Sequence, residues 1–264
     1  MAGDVRHARV AGLALLLAAL PVAGQPLARL DHVPLVVQDL DAAVTDYRAL
    51  GFAIKPGRPH ANGLRNAHVK FRNGAGIELI TAPAARDTLS AHYTVLLAQG
   101  EGPAFMTLHA PDEAGAAAAL QAAGITHRRD ATGIELTDPA LGWLFFTGDN
   151  RSPTDKPEHF AHTNGACGTR EVWVALDDTA PLTRLLTALG AQARDESRPA
   201  PLAAVARVFD LGAGGQVVVV PARHQVVPGR PVMGVVLRAC GSVANHWPPS
   251  RTHGLWLSLS PREP

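Results

Sequence analysis

Apolar and polar positions along the chain follow a pattern that recurs. It begins with LDHVPLVV, residues 30–37, an apolar run typical of a buried strand, and continues with DLDAAVTDYRALG, residues 39–51. In the second segment the apolar residues recur with a helical period, Asp39 stands where an N-cap is favoured, and Gly51 suits a left-handed C-cap. The pattern therefore predicts a strand followed by a short amphipathic helix.

The same spacing from aspartate to glycine returns twice more. Residues 112–124 and 178–190 also run from an aspartate to a glycine twelve positions later. Strand-like segments follow each predicted helix, and the last of them opens with a glycine: GIELI from Gly76, GWLFF from Gly142 and GQVVVV from Gly215. A repeat of about 70 residues indicates copies of one module. The predicted fold class is therefore α+β, with repeated βαβββ modules.

The repeats divide the chain into two predicted domains. The 264 residues, 47% of them hydrophobic, exceed the roughly 250 at which single cores usually stop growing. Modules 1 and 2 occupy residues 27–150, and residues 151–166 form a connector without periodicity. Residues 167–264 hold module 3 and a degenerate module 4, because the strand-like segment 233–239 is followed by two adjacent prolines and no helical period.

Residues 1–24 resemble a secretory signal peptide. Arg6, His7 and Arg9 precede an apolar run of 11 residues, and small residues follow at positions 22–24. The run is shorter than the about 20 residues that span a bilayer, so no membrane span is expected after signal removal. The sequence therefore predicts a periplasmic or secreted protein. The alternative is a mis-assigned start codon ahead of a cytoplasmic one.

Charge and cysteine content narrow the function further. The formal net charge is +1 and there is no basic run, so nucleic acid is not an expected partner. The two cysteines, Cys167 and Cys240, form no CxxC zinc motif. Cys167 precedes the first strand of module 3, and Cys240 follows the first strand of module 4. Antiparallel pairing of these strands predicts a disulfide, and two free thiols are the alternative.

Three segments of the first domain carry a family resemblance. LDHVPLVVQDLDAAVTDYRALGF, HANGLRN and GIELI resemble a glyoxalase-like member of the vicinal oxygen chelate superfamily, over residues 29–150. The resemblance implies modules that pair into two curled mixed-sheet domains, each around a cavity for a small molecule. It also implies a divalent metal, Zn, Mn, Fe or Ni, held on the first and last strands of each module. In module 1 those positions match His32 and Glu78.

Module 2 does not supply the matching pair of metal ligands. Its corresponding positions are Phe105 and Leu144, and neither side chain binds metal. His109 lies four residues after Phe105, on the same face of a strand. We expect it to act as the third ligand, in a set of two histidines and one carboxylate.

The two module 1 residues also have roles that need no metal. In that alternative His32 is a partly buried histidine hydrogen-bonded to a strand neighbour. A glutamate in the apolar run GIELI needs a partner if it faces the interior, and the candidates are the metal, His32 and Arg65. The remaining alternative is that Glu78 faces solvent on the outer surface of the sheet.

The loop HANGLRN, residues 60–66, is predicted to lie at the rim of the cavity. His60 is the expected general base, and Arg65 is expected to stabilise negative charge. Asn62 and Asn66 are expected to bind substrate, because their amides suit a carboxylate, phosphate or vicinal-oxygen ligand. An ordinary solvated loop is the alternative.

The first functional hypothesis is a small-molecule enzyme with metal-assisted lyase, isomerase or oxygenase chemistry in the first cavity. The alternative is a metal-free protein that binds or sequesters a small molecule, which the incomplete ligand set supports. Connector residues His159 and His162 are expected to have a structural role. The second domain has Glu171 and Val217 at the matching positions, so it is expected to be scaffold or interface. Both domains lie in one chain, so an oligomer is not required.

Overall fold

The computed structural model describes residues 25–58, 60–130, 133–198 and 202–261. The segment predicted as a signal peptide, residues 1–24, lies outside these ranges. Within them, no helix combines the length and the apolar character needed to cross a membrane.

The first pair of modules has the predicted order of elements, with one helix and two short strands added. Its elements are β1 (Arg29–Leu30), β2 (His32–Val36), α1 (Leu40–Ala49), β3 (Lys55–Pro56), β4 (Arg65–Lys70), β5 (Gly76–Thr81), α2 (Thr88–Ala98), β6 (Gly102–Pro103), β7 (Met106–His109), α3 (Glu113–Ala122), β8 (His127–Asp130), β9 (Gly133–Leu136) and β10 (Leu144–Phe146). Module 1 runs from β2 to β5 and module 2 from β7 to β10.

The second pair consists of one complete module and one that has no α-helix in its described residues. Its elements are β11 (Ala166–Ala175), α4 (Ala180–Ala188), β12 (Gln192–Arg198), β13 (Ala204–Asp210), β14 (Gln216–Val220), β15 (Val232–Ala239), β16 (Asn245–Trp247) and β17 (Trp256–Ser260). Module 3 ends with β14. In the described residues of module 4, three strands follow one another, in agreement with its degenerate sequence.

The caps explain why the helices begin and end where they do. The side chain of Asp39 accepts hydrogen bonds from two backbone amides of the first turn of α1. Gly51, Gly124 and Gly190 follow α1, α3 and α4 with φ angles of +88°, +67° and +85°, a left-handed conformation that disfavours residues with a Cβ. The spacing from aspartate to glycine therefore marks real helix boundaries.

Every module closes by pairing its first and last strands in parallel. The pairs are β2 with β5, β7 with β10, β11 with β14, and β15 with β17. In the second half all strands join one seven-stranded sheet, in the order β12-β13-β14-β11-β15-β17-β16. The first half forms sheets of five, three and two strands, β3-β4-β5-β2-β6, β1-β7-β10 and β8-β9. The α+β class with mixed sheets is confirmed.

The two halves share a hydrophobic core and the second half contains a disulfide. The main cluster of buried residues includes Leu35 of module 1, Leu185 of module 3 and Leu257 of module 4. Antiparallel β11 and β15 pair through Ala166 and Ala239, which brings the adjacent Cys167 and Cys240 to a Cα separation of 5.7 Å. The predicted disulfide is confirmed, while the division of the chain into two domains stays a prediction.

Candidate active site

Strand register decides which side chains of module 1 line its cavity. β4 and β5 are antiparallel, with His68 opposite Glu78. Val69 of β4 is buried in the core, so its neighbours on the strand point to the opposite face. On that face lies a cavity of about 840 Å³, whose lining includes His32, Lys55, His60, Asn66, His68 and Glu78. Glu78 therefore faces a cavity rather than the outer surface of the sheet.

His32 lies at the start of β2 between two carboxylates. Its Nδ1 is 2.6 Å from Oδ1 of Asp31, and its Nε2 is 3.4 Å from Oε2 of Glu78. The hydroxyl of Thr107 accepts a hydrogen bond from the His32 amide at 2.8 Å and donates one to the His32 carbonyl at 2.7 Å. Burial alone would lower the pKa of His32, but the contacts with Asp31 and Glu78 outweigh it and raise the pKa to about 9. His32 is therefore an imidazolium at neutral pH.

Glu78 is an ionised carboxylate held by two neighbours. Nδ2 of Asn66 donates a hydrogen bond of 2.6 Å to its Oε1. Burial alone would raise the pKa of Glu78, but the contacts with His32 and Asn66 lower it to about 2. The sequence left three candidate partners for this carboxylate. The structure pairs it with His32 and not with Arg65.

His68 adds a neutral imidazole to the same wall. It lies opposite Glu78 in the strand register, and burial lowers its pKa to about 4. Above that pH the ring carries no charge. A cation, an anion and a neutral imidazole thus share one wall of the cavity, an arrangement that can both donate and accept protons.

Lys55 and Lys70, which line another part of this cavity, form a charged cluster with Asp155. Asp155 accepts hydrogen bonds from Lys55 Nζ at 2.5 Å and from Lys70 Nζ at 2.7 and 2.8 Å. Lys70 also donates to the carbonyl oxygen of Asn150 at 2.5 Å. The two lysines are only 9% and 2% exposed. One negative charge from the connector therefore faces two buried positive charges from module 1.

Of the predicted loop residues, His60 and Asn66 reach the cavity and Arg65 and Asn62 do not. Arg65 pairs with Asp41 at 3.2 Å and its side chain is 55% exposed, because strand alternation points it away from the face that Asn66 occupies. Asn62 donates to the carboxylate of Asp87 at 2.9 Å and accepts from the Leu64 amide, which stabilises the loop. Arg65 and Asn62 therefore lie outside the cavity that sequence reasoning assigned to them.

The structure does not bring His109 to His32 and Glu78 as a third ligand. Its Nδ1 lies 3.1 Å from the carbonyl oxygen of Thr147, so the ring is engaged at the far end of β7. Phe105 and Leu144 are buried apolar side chains, as expected from their type. None of these three module 2 side chains replaces a missing ligand.

The connector histidine His162 has the structural role expected of it. Its Nδ1 accepts a hydrogen bond from the Ala53 amide at 3.0 Å, and its Nε2 donates to the Lys70 carbonyl at 2.9 Å. In the second half, Glu171 is 2% exposed and is paired with Arg198 at 3.1 Å. The expectation that this half is scaffold or interface stays a prediction.

Sequence reasoning missed several residues that shape the site. Asp31 and Thr107 fix His32, and Asp155 binds two lysines that lie 100 and 85 positions earlier in the chain. Only the alternation of side chains along β4 could have indicated some of these residues. Asn66, His68 and Lys70 are two positions apart, which places them on the same face of the strand. No pattern in the sequence indicates contacts over such separations.

Comparison with known proteins identifies the family. A family profile described as a glyoxalase-like domain matches residues 30–190, more than half of the chain. The chain belongs to the glyoxalase-like domain family. The matched region contains His32, Glu78 and Asp155, and it crosses the predicted boundary at residues 151–166. No curated protein sequence matches the chain.

Solved structures share the fold of this glyoxalase-like protein at low sequence identity. A hypothetical protein from Staphylococcus aureus is 13% identical with a TM-score of 0.61, over 89% of this chain and 99% of its own. An extradiol ring-cleaving dioxygenase from B. fuscum is 14% identical with a TM-score of 0.57, over 92% and 74%. The Mn(II)-bound glyoxalase from Novosphingobium aromaticivorans is 10% identical with a TM-score of 0.55, over 89% and 82%. The fold is that of the vicinal oxygen chelate superfamily, which confirms the resemblance.

The residues at the site fit a divalent metal only in part. His32 and Glu78 offer a nitrogen and an oxygen, and Asp31 binds the far ring nitrogen as carboxylates commonly do behind a metal-binding histidine. Catalytic zinc sites usually have three protein ligands. In the ranges that the structure describes, no group of three His, Cys, Asp or Glu side chains is arranged to hold a metal. The ligand set is therefore incomplete.

Proposed function

We propose that the module 1 cavity binds a small carbonyl compound and catalyses proton transfer at the carbon next to its carbonyl, as an isomerase or a lyase. The observation that carries this proposal is the pairing of His32 with Glu78 on the cavity wall, with the buried Asp31 behind His32. It combines a hydrogen-bond donor that is charged at neutral pH with an ionised carboxylate 3.4 Å away. Pairs of titratable groups whose pKa values are pushed apart are typical of acid–base catalysis.

In the proposed reaction Glu78 is the base. Its Oε2 accepts the proton from the carbon next to the carbonyl, the C–H bond breaks, and its electron pair forms an enolate. Nε2–H of His32 donates a hydrogen bond to the enolate oxygen, where negative charge develops, and Asp31 keeps the ring oriented. Return of the proton to another carbon completes an isomerisation, and departure of a leaving group completes an elimination.

The low pKa of Glu78 is consistent with this role once substrate is bound. Much of the lowering comes from contact with His32. A substrate oxygen that takes the hydrogen bond from His32 weakens that contact and makes Glu78 more basic. A protein that only sequesters its ligand has no need of an opposed acid and base, which is why we prefer catalysis.

Deuterium exchange tests the proposal without requiring that the product be identified. The protein is incubated in D2O with a panel of small aldehydes, ketones and 2-oxo acids, and proton NMR follows loss of signal from the carbon next to the carbonyl. We expect exchange of at least one compound, lost in Glu78→Gln and strongly slowed in His32→Gln. Arg128→Gln, an exposed residue outside the cavity, is the control. Exchange that survives in Glu78→Gln would reject Glu78 as the base.

A metal-assisted reaction is the second candidate, because the same two side chains would contact a divalent cation. The Mn(II)-bound glyoxalase among the structural neighbours and the carboxylate of Asp31 behind His32 support it. Metal content is measured on untagged protein, before and after incubation with Zn, Mn, Fe or Ni, and beside a His32→Ala, Glu78→Ala double variant. Stoichiometric metal in the wild type alone would favour this candidate. Equal, low metal in both would leave the proton-transfer proposal.

We also propose that the protein acts outside the cytoplasm. The signal-like segment at residues 1–24 supports export, and so does the disulfide between Cys167 and Cys240, since such bonds persist mainly in oxidising compartments. Cell fractionation with detection of the full-length and the shortened chain tests it. Full-length protein confined to the cytoplasm would contradict export.

A further inference from the structure

The lysines of this protein are concentrated in one place. Of its 24 Lys and Arg residues, only Lys55, Lys70 and Lys156 are lysines. All three line the module 1 cavity, the one that also contains His32 and Glu78. A lysine ammonium is a compact, strongly hydrated point charge with three donors.

The lining of this cavity carries an excess of positive charge. Besides His32, five Lys and Arg side chains line it, Lys55, Arg58, Lys70, Arg151 and Lys156, with two carboxylates, Glu78 and Asp149. Asp155, which binds Lys55 and Lys70, adds a third carboxylate. The protein as a whole is almost neutral, with a formal charge of +1. The positive field is therefore a local property of the cavity, and it favours entry of an anion.

Lys55 is the cation whose hydrogen-bonding capacity is least used. Lys70 fills its three contacts with both oxygens of Asp155 and with the Asn150 carbonyl. Lys55 makes one contact, to Oδ1 of the same carboxylate, and has no other partner among the described residues. An ammonium has three donors. Lys55 is 9% exposed and lines the cavity, so its two remaining donors can bind a polar group there.

Two more polar atoms of the same cavity are buried without a partner among the described residues. They are Nε2 of His60 and Oδ1 of Asn66, and both residues line the cavity. Buried polar atoms in native proteins are nearly always hydrogen-bonded. Unused capacity at three side chains around one cavity indicates that a polar ligand completes these hydrogen bonds.

We propose that the ligand of this cavity is a small organic carboxylate whose carboxyl group is bound by Lys55, with His60 as its second hydrogen-bonding partner. A carboxylate supplies two acceptor oxygens and one negative charge, and the cluster of Lys55, Lys70 and Asp155 has an excess of one positive charge. This rests on the proposed function for the reacting end of the molecule: the carboxylate holds the carbonyl part over His32 and Glu78.

Binding by calorimetry tests the proposal with matched probes. The probes are small 2-oxo acids from pyruvate to 2-oxopentanoate, all with a hydrogen on the carbon next to the ketone, each beside its uncharged methyl ester, and inorganic phosphate. We expect at least one 2-oxo acid to bind the wild type more tightly than its ester. Lys55→Met should weaken that binding on the order of tenfold to a hundredfold, as expected for a lost charge-assisted contact, and leave ester binding unchanged. Arg128→Met, a surface variant outside the cavity, should bind like the wild type.

A second measurement uses the small number of lysines. Reductive methylation followed by peptide mass spectrometry reports the reactivity of each of the three amines. A bound 2-oxo acid should slow modification of Lys55 several-fold more than the ester does. Lys55→Met is expected to fold, because Asp155 keeps Lys70 as its partner, and its circular dichroism and unfolding midpoint check this.

The outcomes separate this proposal from the proposed reaction. Carboxylate binding that depends on Lys55 but occurs without deuterium exchange would support the ligand class and reject the proton transfer. Deuterium exchange of uncharged ketones, with no preference for acids, would support the proton transfer and reject the carboxylate ligand. The carboxylate proposal is overturned if no acid binds more tightly than its ester, if Lys55→Met binds acids as the wild type does, or if phosphate binds more tightly than every acid.

Discussion

Replacing His32 by glutamine is expected to remove a large part of the alkaline pH dependence of stability. The pKa of His32 is raised from 6.5 to about 9, because the charged ring lies between Asp31 and Glu78. When the folded-state pKa exceeds the unfolded one, the stabilisation is complete below the unfolded value, about pH 6.5, and is lost as the pH rises through about 9. At about 1.36 kcal/mol per pKa unit, this difference corresponds to about 3 kcal/mol of unfolding free energy.

Urea unfolding from about pH 6 to about pH 10, without reductant, measures this contribution. The wild type should lose about 3 kcal/mol more than His32→Gln over this range, because the variant has no imidazolium to lose. His109→Gln is the matched control, since the His109 ring contacts a carbonyl oxygen and no carboxylate there. A stability difference between wild type and His32→Gln that stays constant with pH would refute the assigned charge state.

Three further predictions concern the frame of the site and the stability of the chain. Gly57→Ala should lower the free energy of unfolding by about 1–3 kcal/mol and weaken ligand binding, because its Cβ would lie 1.8 Å from Oδ1 of Asn66. The control is Gly148→Ala, where nothing lies within 4 Å of the added Cβ. Equal thermal unfolding midpoints of the two variants would contradict this prediction. Replacing both cysteines by serine should lower the free energy of unfolding by about 4 kcal/mol, which follows from the 73-residue separation of the cysteines and the entropy of loop closure. An unchanged midpoint of urea unfolding would contradict this prediction. Asp155→Asn should cost about 3–5 kcal/mol, because it leaves two buried ammonium groups uncompensated, and adding Lys55→Met should recover part of that loss in the same assay.

The repeated architecture could be predicted because its signals are local. A cap aspartate at α1 and α3 and a left-handed glycine after α1, α3 and α4 act within one turn of helix, so these three helices follow from the sequence. Helix α2 was not predicted, although its cap uses the same chemistry: Asp87 accepts from the Ser90 amide and Ser90 bonds back. The apolar residues of this helix are spread around its axis, so no one-sided period marks it.

The site could be predicted only as far as strand alternation allowed. His32 and Glu78 were found through the family resemblance, and they face each other as that resemblance implies. Arg65 and Asn66 are adjacent in sequence, and choosing between them requires the register of β4 against β5, which local sequence does not contain. The partners Asp31, Thr107 and Asp155 depend on how distant segments pack. Polar contacts of this kind leave no periodic signal.

The position of Asp155 has a consequence for how this protein can be cut and recombined. It belongs to the segment that joins the two halves, yet it neutralises lysines of the first module and, through its second oxygen, accepts from the Ser152 amide. A fragment that ends at the last strand of module 2 would keep both catalytic candidates and lose the counter-charge of the cavity. The smallest transferable unit with an intact cavity is therefore longer than one pair of modules, and grafts or fusions should retain the joining segment with the first half.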